Sequence, residues 1–118
     1  MEIKNLLFEA SINKHLGIAN FEMKNYSSAI EFFLKSFELK KENKCTQVEI
    51  FEILQLIGDA EYNLDSFNHA RESFNCCKTI LESNPKSFGE FEKFKILKKI
   101  GICLKNEEKI EDAINILT

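Results

Sequence analysis

Cysteine and histidine are the side chains best suited to nucleophilic or metal chemistry near neutral pH. The sequence holds four cysteines, Cys45, Cys76, Cys77 and Cys103, and two histidines, His15 and His69. None of the cysteines has a partner at metal-ligand spacing. Adjacent Cys76 and Cys77 would point to different faces of any helix. His15 precedes Leu16 and His69 precedes Ala70, places that suit a surface or inter-helix packing role better than a ligand. There is no His-Glu-x-x-His, no glycine-rich phosphate loop and no nucleophile elbow. An enzyme is therefore not expected, and no metal or cofactor is implied. The cysteines read as reduced thiols of a cytoplasmic chain.

What remains is the chemistry of recognition. Net charge is −3, and of sixteen basic residues only Arg71 is an arginine. Forked guanidinium contacts to phosphate are thus scarce, and a nucleic-acid partner is not expected. The lysines thicken towards the C-terminus, at Lys95, Lys98, Lys99 and Lys105. Gathered along a partly desolvated wall, they would attract a carboxylate or an acidic side chain. Spread over an open helix face, they would only be solvated. Phe21 and Tyr62 could seat apolar side chains of a peptide, or could simply pack between helices. The choice depends on the elements that carry them.

The chain has 118 residues, enough for one domain spanning 1–118 with a real core. No apolar run approaches the ~20 residues of a membrane span, and the N-terminus lacks the apolar stretch of a signal peptide, so no membrane is expected. One proline and four glycines are too few for the many tight turns of an all-β domain. The expected class is all-α.

Three of the glycines repeat. Gly17, Gly58 and Gly101 are 41 and 43 residues apart, and each is followed twelve residues later by an alanine, Ala29, Ala70 and Ala113. Before each glycine stands a large aliphatic residue, Leu16, Ile57 or Ile100. Nine residues after it stand Tyr26, Phe67 and Ile110, and sixteen after it Phe33, Phe74 and Leu117. Small residues follow at two positions on, Ala19, Ala60 and Cys103, and at nineteen on, Ser36 and Cys77. Glycine inside a helix costs about 1 kcal/mol against alanine, and close approach of a second helix offsets that. The pattern predicts a helix hairpin three times over, about six helices, at 2–24, 26–41, 46–64, 67–83, 88–105 and 107–117. The repeats run approximately 2–41, 46–83 and 88–118. Thr46-x-x-Glu49 and Ser87-x-x-Glu90 read as capping boxes. Asn25, Asp65 or Ser66, and Asn106 read as caps of the second helices, and Asn84-Pro85 as a turn. The last helix is short beside its counterparts, leaving Ile110, Ile114 and Leu117 without a following helix. Such an array is either part of a longer one or capped by another copy.

The pairs Leu16-Gly17, Ile57-Gly58 and Ile100-Gly101, with Tyr26/Ala29/Phe33, Phe67/Ala70/Phe74 and Ile110/Ala113/Leu117 behind them, resemble the tetratricopeptide repeat. The family's first-helix tryptophan is absent, Asn13, Leu54 and Leu97 standing in its place. The usual period of 34 is exceeded by about two helical turns. Long-helix versions are similar to those in bacterial peptide-sensing regulators and in some eukaryotic scaffolds. The resemblance implies a right-handed α-solenoid whose first helices line a concave groove. Lys14, Ile18 and Phe21 would come from repeat one, and Glu52, Gln55, Asp59 and Tyr62 from repeat two. Repeat three would supply Lys95, Lys98, Lys99, Ile102 and Lys105. Some members clamp chaperone C-termini with lysines and asparagines. Lys14, Lys95 and Lys99 match the basic places, but Ile18 and Leu56 stand where the asparagines would be and cannot hydrogen-bond a carboxylate. The implied function is a scaffold binding a protein or peptide in its groove. The alternatives are a self-assembly module, a homo-oligomer through the C-terminal edge, and the peptide-sensing part of a bacterial regulator.

Overall fold

The computed structural model of the chain describes residues 3–117, with side chains described from Asn5 to Ile116. Five helices occupy almost all of it: α1 (Ile3–Glu22), α2 (Tyr26–Glu42), α3 (Gln47–Asn63), α4 (Phe67–Ser83) and α5 (Glu90–Leu117). No strand occurs among the described residues. The all-α expectation therefore holds, with five helices where about six were expected.

Each helix packs chiefly on its neighbours in sequence, α1 on α2, α2 on α3, α3 on α4 and α4 on α5. The result is elongated, 56 × 33 × 21 Å. Its radius of gyration is 15.7 Å, against about 13 Å for a globular chain of this length.

The first two hairpins form as the repeat dictates. Phe33 covers Gly17 and Phe74 covers Gly58, each ring lying where a side chain on the glycine would have to go. Each pair is also tied by one hydrogen bond from the small residue nineteen positions after its glycine. Ser36 Oγ donates to the Ala10 carbonyl at 2.8 Å, and Cys77 Sγ to the Phe51 carbonyl at 3.7 Å. Two core layers result. Ala29, Phe33, Ile53, Ile57 and Ala60 join α2 to α3, with Ile18, Phe21 and Leu56 packed alongside. Phe51, Ala70, Phe74, Cys77, Leu81, Ile96 and Cys103 join α3, α4 and α5.

Three helix ends share one device. Lys24, Lys44 and Asp65 adopt positive φ, 66°, 55° and 61°. The next residue's N–H then reaches back five positions, as in Asn25 to Asn20 (2.8 Å), Cys45 to Lys40 (3.0 Å) and Ser66 to Glu61 (3.0 Å). This is the left-handed helix stop that satisfies the last carbonyls. An aromatic pair then clasps each hairpin turn. Phe21 meets Tyr26 edge-on with centroids 5.2 Å apart, and Tyr62 meets Phe67 at 5.3 Å. The capping box at Thr46 and Glu49 forms, the Thr46 hydroxyl accepting from Glu49 N–H and the Glu49 carboxylate from Thr46 N–H. Asn25 and Ser66 occupy the N-cap positions of α2 and α4 without a side-chain capping bond.

The third hairpin does not form. The helices expected at 88–105 and 107–117 are one continuous helix, α5. The local signals explain it. The stop residues Lys24 and Asp65 have Glu108 as their counterpart, and the cap positions Asn25 and Ser66 have Lys109. Glu108 and Lys109 are both strong helix formers, whereas the first two turns place the poorer helix formers Asn25 and Ser66 at the second of these positions. The clasp pairs Phe21–Tyr26 and Tyr62–Phe67 become Lys105 and Ile110. Nothing reverses the chain, so Asn106 is interior to a helix rather than a cap, and its amide donates to the Ile102 carbonyl at 2.9 Å. Gly101 in consequence meets no atom of another helix among the described residues within 4 Å of where its Cβ would stand. The start of α5 also shifts from Ser87 to Gly89, whose N–H donates to the Glu92 carboxylate at 3.0 Å.

Candidate functional site

Glu52, Gln55, Asp59 and Tyr62 recur at three- and four-residue steps along α3, so one face of the middle helix carries all four. Two ion pairs extend from that face to the helices on either side. Glu52 pairs with Lys14 of α1, and Asp59 Oδ1 accepts from Lys99 Nζ of α5 at 2.8 Å. The first helices of the three repeats are thereby linked through α3.

Between α3 and α5 the face sinks into a cavity of about 260 Å³, lined by Asp59, Tyr62, Phe74, Lys99 and Ile102. Four of these five are residues the sequence nominated for a groove. Phe74 is the exception, and Gly58 explains its place: lacking a side chain, the glycine lets the ring lie against α3. Lys99 Nζ stands 5.4 Å from the Phe74 ring centroid while it holds Asp59. At the end nearest the hairpin turn, Asn106 Nδ2 donates to Tyr62 Oη at 3.4 Å. The walls are mainly apolar, and the one cation in them is already neutralised by a carboxylate. This arrangement suits an apolar side chain rather than a free carboxylate.

The other nominated residues lie elsewhere. Ile18 and Phe21 are half-buried against the layer between α1, α2 and α3. Gln55 is half-buried on the α3 face. Lys95 Nζ lies 5.4 Å from the Phe91 centroid. Lys98 is exposed and makes no ion pair among the described residues. Lys14 and Lys99, two of the three lysines at clamp positions, are committed to Glu52 and Asp59. Of the C-terminal edge, Ile110 and Ile114 are exposed, and the Leu117 side chain lies outside the described residues.

Sequence reasoning missed Phe74 and Asn106 as members of the site. Phe74 was absorbed by the hairpin signature. Asn106 follows Lys99 by seven residues and Ile102 by four, a spacing that places all three on one helix face.

Arg71 of α4 also grips α5 with two hydrogen bonds, Nε to Glu107 Oε2 at 2.7 Å and Nη2 to Glu107 Oε1 at 3.1 Å. Ser73 Oγ donates to Glu61 Oε1 at 2.6 Å. Burial raises the Glu61 carboxyl above the ordinary carboxylate range, and the Ser73 bond opposes the rise. The nearby thiols are poor nucleophiles. Burial pushes Cys77 up to about 12 and Cys103 up to about 11. No group of three or more histidine, cysteine or acidic side chains that could hold a metal exists among the described residues. Nor is any helix among them long and apolar enough to cross a membrane. No protein-family model matches this chain, and no curated protein matches it.

Proposed function

We propose that the chain is a tetratricopeptide-like stack of helix hairpins, a right-handed α-solenoid, that binds a peptide segment or partner helix along the faces of α1, α3 and α5. The observation that carries this reading is the cavity between α3 and α5. It brings Asp59, Tyr62, Lys99 and Ile102 together from first helices of successive repeats. Its volume, about 260 Å³, is below the ~300–1,000 Å³ of ordinary small-molecule sites. One apolar side chain of a peptide fits that size better than a cofactor does. The Asp59–Lys99 pair and Tyr62, which line the cavity, would supply the polar contacts to the peptide backbone.

Selection from a displayed random peptide library tests the proposal. The intact chain is expected to enrich peptides sharing one apolar anchor. Ile102→Arg, which places a cationic chain in the cavity, is expected to weaken the selected peptides at least tenfold, about 1.4 kcal/mol. The helical circular dichroism should be unchanged. Failure to enrich any peptide, or binding that ignores Ile102→Arg, would rule the cavity out as the anchor site.

A further inference from the structure

The outward face of α5 is the surface that the third hairpin would have covered. Phe94, Leu97, Gly101 and Leu104 recur at three- and four-residue steps along it. Phe94 is 63% exposed, Leu97 44% and Leu104 51%. The repeat supplies an internal comparison. Phe51 holds on α3 the place that Phe94 holds on α5, and with α4 packed over it Phe51 is only 7% exposed. At Gly17 and Gly58 a phenylalanine fills the space beside the glycine, whereas among the described residues no other helix comes within 4 Å of where a Cβ on Gly101 would stand. The α5 face is thus shaped to receive another helix.

Charge identifies the occupant. The same stripe is flanked by Lys98 and Lys105 and continues into Glu108, Glu111 and Asp112. None of these five makes an ion pair among the described residues. A face on which basic residues precede acidic ones, as Lys98 and Lys105 precede Glu108, Glu111 and Asp112, complements itself when turned end for end. Parallel pairing would oppose like charges.

We infer that two copies of this chain associate through antiparallel α5 helices, an isologous contact about a two-fold axis. In the register that satisfies both charge and shape, Leu104 of each copy fills the space beside Gly101 of the other. Lys98 lies opposite Glu108 of the second copy, and Phe94 lies near the second copy's Glu111 and Asp112, its ring packing on their methylenes. The contact leaves the Asp59–Lys99 cavity open and does not depend on its role. One helix pair sits at the low end of the ~1,200–2,000 Å² that stable complexes bury, so a concentration-dependent dimer is expected.

Sedimentation velocity on the full chain, from about 1 to 100 μM, tests this range of affinity. The expected result is a monomer–dimer equilibrium. Leu104→Lys and, separately, Phe94→Glu should each raise the dissociation constant at least tenfold, about 1.4 kcal/mol, with helicity unchanged. Lys98→Glu should weaken the dimer, and Lys98→Glu combined with Glu108→Lys should restore it. A monomer at every concentration would overturn the inference. So would a dimer indifferent to Leu104→Lys and Phe94→Glu, which would place the contact on another face such as the Ile110–Ile114 edge. A charge exchange that fails to restore association would overturn the antiparallel register.

Discussion

A methyl group added at Gly58 would lie 2.6 Å from the Phe74 ring, which is 1% exposed and packed into the larger core layer. Gly17 faces Phe33 in the same way. Gly17→Ala and Gly58→Ala are therefore expected to destabilise the fold by about 1–3 kcal/mol, the usual range for overpacking. Gly101→Ala meets open space, so it should stabilise α5 by up to about 1 kcal/mol through helix propensity alone. Urea unfolding of dilute protein distinguishes the three; equal losses at all of them would contradict the structure. Glu61 gives a second residue-level expectation. Its carboxyl is raised by burial, so its contribution to stability is fully present below the unfolded-state pKa of about 4.3. That contribution is lost as pH rises through the folded value. Glu61→Gln keeps an acceptor for Ser73 Oγ and removes the charge. It should raise the melting temperature at pH 7 and leave it nearly unchanged below pH ~4. A variant less stable than the parent at pH 7 would show that the carboxylate is needed as a charge.

For elements, the contrast lies between α2 and α4, which fold back, and the C-terminal part of α5, which does not. All three stretches carry the alanine and the large residue four beyond it, and that pattern alone suggested three hairpins. The pattern records which side chains pack once two helices are together. It says nothing of whether the chain turns between them. Turning is governed by the left-handed stops at Lys24 and Asp65 and the clasps Phe21–Tyr26 and Tyr62–Phe67. Those features occupy single positions and were legible only once the hairpins could be compared. The boundaries of the first four helices were readable to within two residues, because Pro85, the Thr46–Glu49 capping box and periodicity mark them directly. The cavity was half readable. Steps of three and four put Asp59 and Tyr62 on one face and Lys99 and Ile102 on another, but the meeting of those faces depends on Phe74 lying over Gly58. Restoring the missing signals should restore the turn. With Lys105→Phe, Glu108→Gly, Lys109→Asn and Ile110→Tyr combined, α5 is expected to break into a hairpin. Spin labels replacing Phe94 and Ile116, with the accessible cysteines changed to serine, would report it. They should lie about 33 Å apart in the straight helix, from 1.5 Å per residue, and far closer in the variant. An unchanged distance would mean that tertiary contacts such as Arg71–Glu107 hold α5 straight.

At the scale of the whole molecule, each helix depends on its immediate neighbours, so stability is expected to grade along the stack. Helices α3 and α4 are gripped on both sides and hold most of the buried residues of the larger core layer. Their amides should exchange with deuterium most slowly. Amides beyond Glu107 in α5, past the Arg71–Glu107 grip of α4, should exchange fastest among the helical ones. Uniform protection across all five helices would show a single cooperative unit instead. The packing of each helix on the one before it also bears on how the chain acquires its shape. Almost every stabilising contact joins segments close in sequence, so contact order is low and only short loops must close. Such a chain folds fast, and its first hairpin can pair Gly17 with Phe33 while the ribosome is still adding the residues of α5.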